Sequence, residues 1–282
     1  MIRFSHAGLA VLSVAGSFLS GCKLPSALTP TPIAQPASWG ALQALPIPPA
    51  DRVESYGDAA QQTIEVRLPK TGGKPPVVIL LHGGCWQNAF DRAYFSHLAE
   101  ALRALGWATF NVEYRRIGDP GGGWPGTFDD VLAATRFVLA HASEWQLDAK
   151  HVVSVGHSAG GHLALLLAQR EPRITAVVGL AAITDLASYQ KESSDCGASA
   201  KELVGDNTPA TADPMLLPLP KACVILWSGS ADRIVPTSYG TRYAARSGEI
   251  KHIIWPGAGH FDLVSPTSPL WPVIVQQFSK LR

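Results

Sequence analysis

Five residues, Gly156-His157-Ser158-Ala159-Gly160, constrain this chain more than any other feature. They stand between an apolar run at 151–155 and a segment of helical spacing at 159–170. A serine at such a junction sits in a tight, strained turn, and glycines two before and two after it let the backbone pass closely. The turn lifts the hydroxyl above the carboxyl end of a sheet, and the helix amino end behind it favours negative charge developing there. The rest of the chain repeats the same alternation. Strand-like runs at 63–68, 77–81, 108–112, 174–180, 222–227 and 251–255 alternate with helical segments at 91–105, 127–145, 237–246 and 269–281. The run at 77–81 is continuously apolar, as in a strand covered on both faces, whereas 63–68 alternates with period two like a half-exposed antiparallel strand. This pattern predicts an α/β fold with a mostly parallel sheet and helices on both faces. Residues 184–219, broken by Gly205, Pro209, Pro214 and Pro218, read as an irregular insertion.

A serine hydroxyl becomes a nucleophile beside a base, and the base works beside an orienting acid. His260 closes Pro256-Gly257-Ala258-Gly259-His260, just past the run 251–255, and Asp232 closes Ser228-Gly229-Ser230-Ala231-Asp232, just past 222–227. Both fall at carboxyl ends of predicted parallel strands, the edge where ligand sites of α/β sheets form. Asp185 and Asp262 are alternative acids. His97, His141, His151 and His252 read as structural or solvated, and no proton transfer is assigned to His157 or His162. A third piece, His82-Gly83-Gly84-Cys85-Trp86, directly follows the run 77–81. Glycines allow a loop to approach closely and to aim N–H groups at an oxyanion, so Gly84, Cys85 and Ala159 are the expected donors. Trp86 and Phe261, each next to one of these motifs, are candidate walls of the substrate pocket.

Taken together, His-Gly-Gly-x-Trp at 82–86, Glu113-Tyr114-Arg115, the run 156–164 (GHSAGGHLA), Gly229-Ser230-Ala231-Asp232 and Gly257-Ala258-Gly259-His260 resemble the esterase branch of the α/β-hydrolase superfamily. The similar groups are the hormone-sensitive-lipase-like carboxylesterases, the kynurenine formamidase-like hydrolases and the feruloyl-esterase-like hydrolases. Cys85 stands where the lipase branch usually has a third glycine, which favours the His-Gly-Gly-x-Trp groups. The resemblance covers 51–282 and implies an α/β-hydrolase fold with an eight-stranded central sheet. It also implies a serine carboxylesterase acting on small or medium ester substrates through an acyl-enzyme on Ser158, with His260 and Asp232 and without a cofactor. An arylformamidase is the main alternative. A serine peptidase and a non-catalytic binding protein on the same fold are weaker ones.

Residues 1–21 read as a bacterial lipoprotein signal. Arg3 precedes a 13-residue apolar run at 7–19, too short to span a bilayer, and Leu19-Ser20-Gly21-Cys22 resembles a lipobox. Cys22 would then be lipidated and anchor an exported protein to a bacterial membrane, on its periplasmic or cell-surface side. Seven prolines between 25 and 49 make 22–50 an expected extended tether, with the catalytic domain at 51–282. Export implies an oxidising compartment. The expected disulfide is Cys196–Cys223, because Cys85 belongs to the oxyanion loop; three unpaired thiols are the alternative. Lys plus Arg number 23 against 22 Asp plus Glu, so no basic field exists to hold a nucleic acid. No C-x-x-C or H-E-x-x-H motif occurs, and no metal site is expected.

Overall fold

The computed structural model describes residues 30–70 and 72–282. Its strands are β1 (Arg52–Ser55), β2 (Thr63–Arg67), β3 (Pro76–Leu81), β4 (Ala108–Val112), β5 (Asp148–His157), β6 (Ala176–Leu180), β7 (Cys223–Gly229) and β8 (Lys251–Trp255). They form one sheet in the order β1-β2-β4-β3-β5-β6-β7-β8. Only the β1–β2 and β2–β4 pairs are antiparallel; from β4 through to β8 every neighbour is parallel. β1 has no counterpart in the sequence pattern. Its one aliphatic residue, Val53, is 54% exposed, so this edge strand buries no face that could write an alternation.

The helices are α1 (Trp39–Gln43), α2 (Ser96–Ala104), α3 (Gly126–Ala140), α4 (Ala159–Arg170), α5 (Leu186–Tyr189), α6 (Asp195–Val204), α7 (Thr237–Ala244) and α8 (Trp271–Phe278). Every residue of β3 is buried. Val77, Ile79 and Leu81 pack into one core layer with α3 and α4, while Val78 and Leu80 join α2 and α8 in the other. Burying each of these aliphatic side chains stabilises the fold by about 1.5–3 kcal/mol. Among the described residues no helix is long and apolar enough to cross a membrane.

Two expectations change here. Residues 184–219 are not wholly irregular, because α5 and α6 lie within them. Ser194 caps α6 through its hydroxyl, which accepts from Gly197 N at 3.1 Å, Asp195 stands in the first turn, and Gly205 ends the helix at φ +79°. Each signal was present in the sequence, but the prolines beyond residue 208 obscured it.

The second concerns the tether. Beyond residue 30 the segment does not run as a spacer. Ile33 N donates to Pro256 O at 3.0 Å, Trp255 Nε1 to Thr31 O at 3.0 Å, and Ala37 N to Asp262 Oδ2 at 3.1 Å. Ser38 caps α1, and Leu42 is fully buried. The prolines leave a few N–H groups and apolar side chains, and those few dock on the loops after β8. Residues 1–29, including the signal and Cys22, lie outside the described residues.

Candidate active site

The turn between β5 and α4 has the strain its sequence predicts. Ser158 sits at φ +58°, ψ −121°, a region that costs a residue bearing a Cβ about 1–3 kcal/mol. The surroundings hold it there. Ser158 N donates to Leu180 O at 2.9 Å, and Ser158 O accepts from Gly161 N at 2.9 Å and His162 N at 3.2 Å. A Cβ on Gly156 would lie 2.0 Å from Gly160 O, and one on Gly160 would lie 2.0 Å from Leu81 O. The contacts are backbone on both sides, so no side chain can yield to make room.

Asp232 follows β7 and His260 follows β8, and the register of the parallel strands brings both to the edge where Ser158 stands. His260 Nδ1 and Asp232 Oδ2 are 2.8 Å apart. The other carboxylate oxygen, Oδ1, accepts from Ile234 N at 2.8 Å and Val235 N at 2.9 Å. Asp232 is therefore an acceptor on three sides. It calls for the proton on Nδ1 of His260 and leaves Nε2 with a lone pair. No hydrogen bond joins Ser158 Oγ to His260, an arrangement open to adjustment when a substrate arrives. The alternative acids are engaged elsewhere. Asp185 caps α5 by accepting from Ser188 N at 3.0 Å and pairs with Arg242 at 3.2 Å. Asp262 Oδ2 accepts from Gly259 N at 2.8 Å as well as from Ala37 N.

His157, the residue before the serine, links these parts. Its Nε2 lies 3.1 Å from the His260 carbonyl, which can only accept, so Nε2 carries the proton and Nδ1 accepts from Tyr94 Oη at 2.9 Å. Tyr94 Oη in turn accepts from Gly83 N at 2.7 Å. Burial, with His260 beside it, pushes the His157 imidazole well below its usual range and keeps it neutral. This buried chain joins the serine turn, the histidine loop and the first residue of the glycine loop. Tyr94 carried no sequence signal beyond helical spacing.

Three amides, two of the glycine loop and one of the serine turn, are uncommitted. Gly83 N is engaged by Tyr94, but the N–H groups of Gly84, Cys85 and Ala159 find no acceptor among the described residues. A Cβ on Gly83 would lie 3.0 Å from Ser158 Cβ, so the loop runs directly against the serine. His82 is fully buried behind it, with Nδ1 2.8 Å from Gly83 O and Nε2 2.9 Å from Glu113 Oε1. Its ring stacks on Tyr114 at 4.4 Å, and Tyr114 Oη donates to His82 O at 2.6 Å. Burial pushes the Glu113 carboxyl up, but His82 and Arg116 beside it prevail and hold it at about 2. Glu113 and Tyr114 thus brace the glycine loop from behind, while Arg115 binds Asp130 at 2.6 and 2.8 Å and pins α3.

The expected disulfide is not the one formed. Cys196 pairs with Cys85, Sγ to Sγ 2.07 Å, and not with Cys223. Helix formation explains the difference: α6 carries Cys196 to the carboxyl edge of the sheet, beside the loop after β3, whereas Cys223 starts β7 at the opposite edge. Of the two candidate pocket walls, Trp86 is fully buried, edge-on to His162 at 5.3 Å, and offers no surface to solvent. Phe261 lies 5.2 Å from the His260 ring and is half-buried. It meets Trp39 at 5.4 Å, and Trp39 meets Phe90, which covers Gly84, at 5.7 Å. Trp39 and Phe90 are half-buried rim residues that sequence reasoning missed; the one available signal was a lone tryptophan behind a capping serine within a proline-rich segment. Among the described residues no group of three or more His, Cys, Asp or Glu is placed to hold a metal ion.

Comparison with known proteins bears on the family and the fold. The family described as BD-FAE matches residues 64–245. The chain is 30% identical over 234 residues to the uncharacterized protein MT2364 of Mycobacterium tuberculosis, covering 77% of each chain. It is 36% identical over 103 residues to the probable carboxylic ester hydrolase LipM of the same species, covering 36% of this chain and 23% of that one. The matches span 23–34% of the length of the first four curated relatives. Among solved structures, esterase B of Lactobacillus rhamnosis, with a tributyrin phosphonate, superposes with a TM-score of 0.69 at 20% identity, covering 86% of this chain and 89% of that one. The likeness establishes the α/β-hydrolase fold.

Proposed function

The chain belongs to the BD-FAE family, and from that premise we propose that it is a serine carboxylesterase acting on small or medium esters. The observation that carries the reading is the Asp232–His260 pair, 2.8 Å apart, beside a serine held at φ +58°. In this reading Ser158 Oγ attacks the ester carbonyl while His260 Nε2 takes its proton. The charge that develops on the carbonyl oxygen meets the uncommitted N–H groups of Gly84, Cys85 and Ala159. Asp232 holds the imidazole in the required tautomer and stabilises the imidazolium. His260 then returns the proton to the leaving alcohol, and water attacks the acyl-enzyme by the same route. Trp39, Phe90 and Phe261 form the rim past which the substrate enters. The likeness to relatives such as the probable carboxylic ester hydrolase LipM supports an ester in place of a formamide.

Ser158→Ala tests the nucleophile. Against p-nitrophenyl acetate and butyrate it should lose at least three orders of magnitude in kcat with an unchanged circular dichroism spectrum. Retention of more than a tenth of the wild-type rate refutes the assignment. We also propose that the protein is exported and anchored through a lipid on Cys22, on the strength of the apolar run and the cysteine that ends it. Cys22→Ser should move the protein from the membrane fraction to the soluble one, and a variant still in the membrane fraction contradicts the anchor.

A further inference from the structure

We infer that the Cys85–Cys196 disulfide is a positioning element for the oxyanion amides, holding the loop after β3 in a backbone conformation that it would not keep unaided. The inference rests on the esterase reading and adds to it a covalent clamp on one of its parts. Three consecutive residues of the loop have positive φ: Gly84 at +104°, Cys85 at +51° and Trp86 at +58°. Glycine adopts such values readily, whereas Cys85 and Trp86 each carry a Cβ and are strained there. A peptide plane that relaxes towards negative φ swings its N–H away, and the Cys85 N–H is one of the amides aimed at the oxyanion.

The hydrogen bonds around the loop hold its ends and skip its centre. Gly83 N is fixed to Tyr94 Oη at 2.7 Å. On the far side Gln87 N donates to Gly84 O at 2.9 Å, and Ile117 N donates to Trp86 O at 2.8 Å. Among the described residues neither the N–H nor the C=O of Cys85 has a hydrogen-bond partner. Its side chain supplies the missing restraint, through the bond to Cys196 with the two Cα atoms 5.1 Å apart. Cys196 is a sound anchor. It is 4% exposed within the core, and its helix is tied to the body by Trp124 N donating to Leu203 O at 2.9 Å; Gln87 Nε2, at the far end of the loop, also donates to Ser199 Oγ on that helix at 3.0 Å. The bond joins two residues 111 apart in the sequence and is the covalent link between the loop and α6. A disulfide that served global stability alone could join any two such distant points. This one ends on a loop residue whose amide must be aimed and whose own N–H and C=O have no partner among the described residues.

The test compares wild type with Cys85→Ala/Cys196→Ala and Cys85→Gly/Cys196→Ala on p-nitrophenyl butyrate, well below each protein's melting temperature. The fraction of titratable active sites is measured with a p-nitrophenyl phosphonate. The alanine pair should lose at least tenfold in kcat, with KM within threefold and the active-site fraction unchanged. The glycine–alanine pair should recover at least threefold of that loss, because glycine takes positive φ without strain; a bond that only stabilised the whole fold would give no such rescue. An alanine pair with kcat within twofold of wild type, or a glycine variant no better than alanine, overturns the inference. If the pairs fail to fold, mild reduction of the wild type replaces them, with kcat measured before the thiols are trapped and mapped. Loss of kcat in step with opening of Cys85–Cys196 supports the inference, and full kcat with that bond open overturns it. A wild type that turns over no ester is a different result: it removes the esterase reading and this inference with it.

Discussion

Replacing Asp232 by asparagine changes one atom and reverses the logic of the histidine. The Oδ1 position of Asp232 faces two backbone donors, Ile234 N at 2.8 Å and Val235 N at 2.9 Å, while Oδ2 faces His260 Nδ1 at 2.8 Å. An asparagine has one acceptor oxygen, and the two N–H groups claim it. Its NH₂ then points at His260 and donates to Nδ1, which must give up its proton. The proton moves to Nε2, and the nitrogen that would take the serine proton can no longer accept. The wrong tautomer in an otherwise intact triad lowers kcat by about 10⁴-fold, or about 5 kcal/mol in activation free energy. We expect this loss for Asp232→Asn on p-nitrophenyl butyrate, with little change in KM. Asp185→Asn and Asp262→Asn, whose carboxylates cap α5 and hold the loop before His260, should stay within about tenfold of wild type. Asp232→Asn with more than a tenth of the wild-type kcat, or Asp185→Asn with an equal loss, would refute the reasoning.

Glu113 predicts a pH dependence of stability. Its carboxyl is held at about 2 against an ordinary value of 4.5, so its contribution is fully present above pH 4.5 and is lost as the pH falls through 2. The wild type should lose about 3 kcal/mol from this group across that window, and Glu113→Gln should flatten that part of the slope in urea midpoints taken from pH 6 to pH 2.5. An unchanged slope contradicts the role of the His82–Glu113–Arg116 cluster. At the rim, Trp39→Ala removes aromatic contacts worth about 0.5–1.5 kcal/mol, so KM for a p-nitrophenyl ester of an aromatic or medium-length acid should rise about 2- to 13-fold while KM for the acetate hardly moves. Equal changes for both substrates would make Trp39 a packing residue only. Gly160→Ala places a Cβ 2.0 Å from Leu81 O and 2.3 Å from His82 O, and should cost about 3 kcal/mol or more by thermal denaturation. A melting temperature within a few degrees of wild type would show that the turn has slack.

What was legible in the sequence was what local chemistry dictates. The glycines of the serine turn answer to backbone atoms a few residues away or in the next strand, so their spacing alone placed Ser158 between β5 and α4. The same holds for Asp232 and His260, whose short glycine-bearing loops follow apolar runs. The features missed depend on contacts that leave no periodic mark. β1 buries no face. The docking of residues 31–48 rests on a few hydrogen bonds and on the side chains of Ile33, Trp39 and Leu42, spaced among prolines that read as a spacer. The sequence points to the wrong partner for Cys196 because choosing one needs the position of α6, and that helix lies in a segment whose prolines read as irregular. Trp86, beside a catalytic motif in sequence, is turned into the core by a backbone at φ +58° that sequence proximity cannot convey.

The proposed chemistry rests on a single nucleophile at position 158. Incubating the protein with a p-nitrophenyl phosphonate, digesting it and mapping the adduct by mass spectrometry measures this directly. One phosphonyl group per chain on Ser158, formed in step with loss of esterase activity and absent from His260→Gln, is the predicted result. An adduct on another residue, or ester turnover that persists in fully labelled protein, would contradict it.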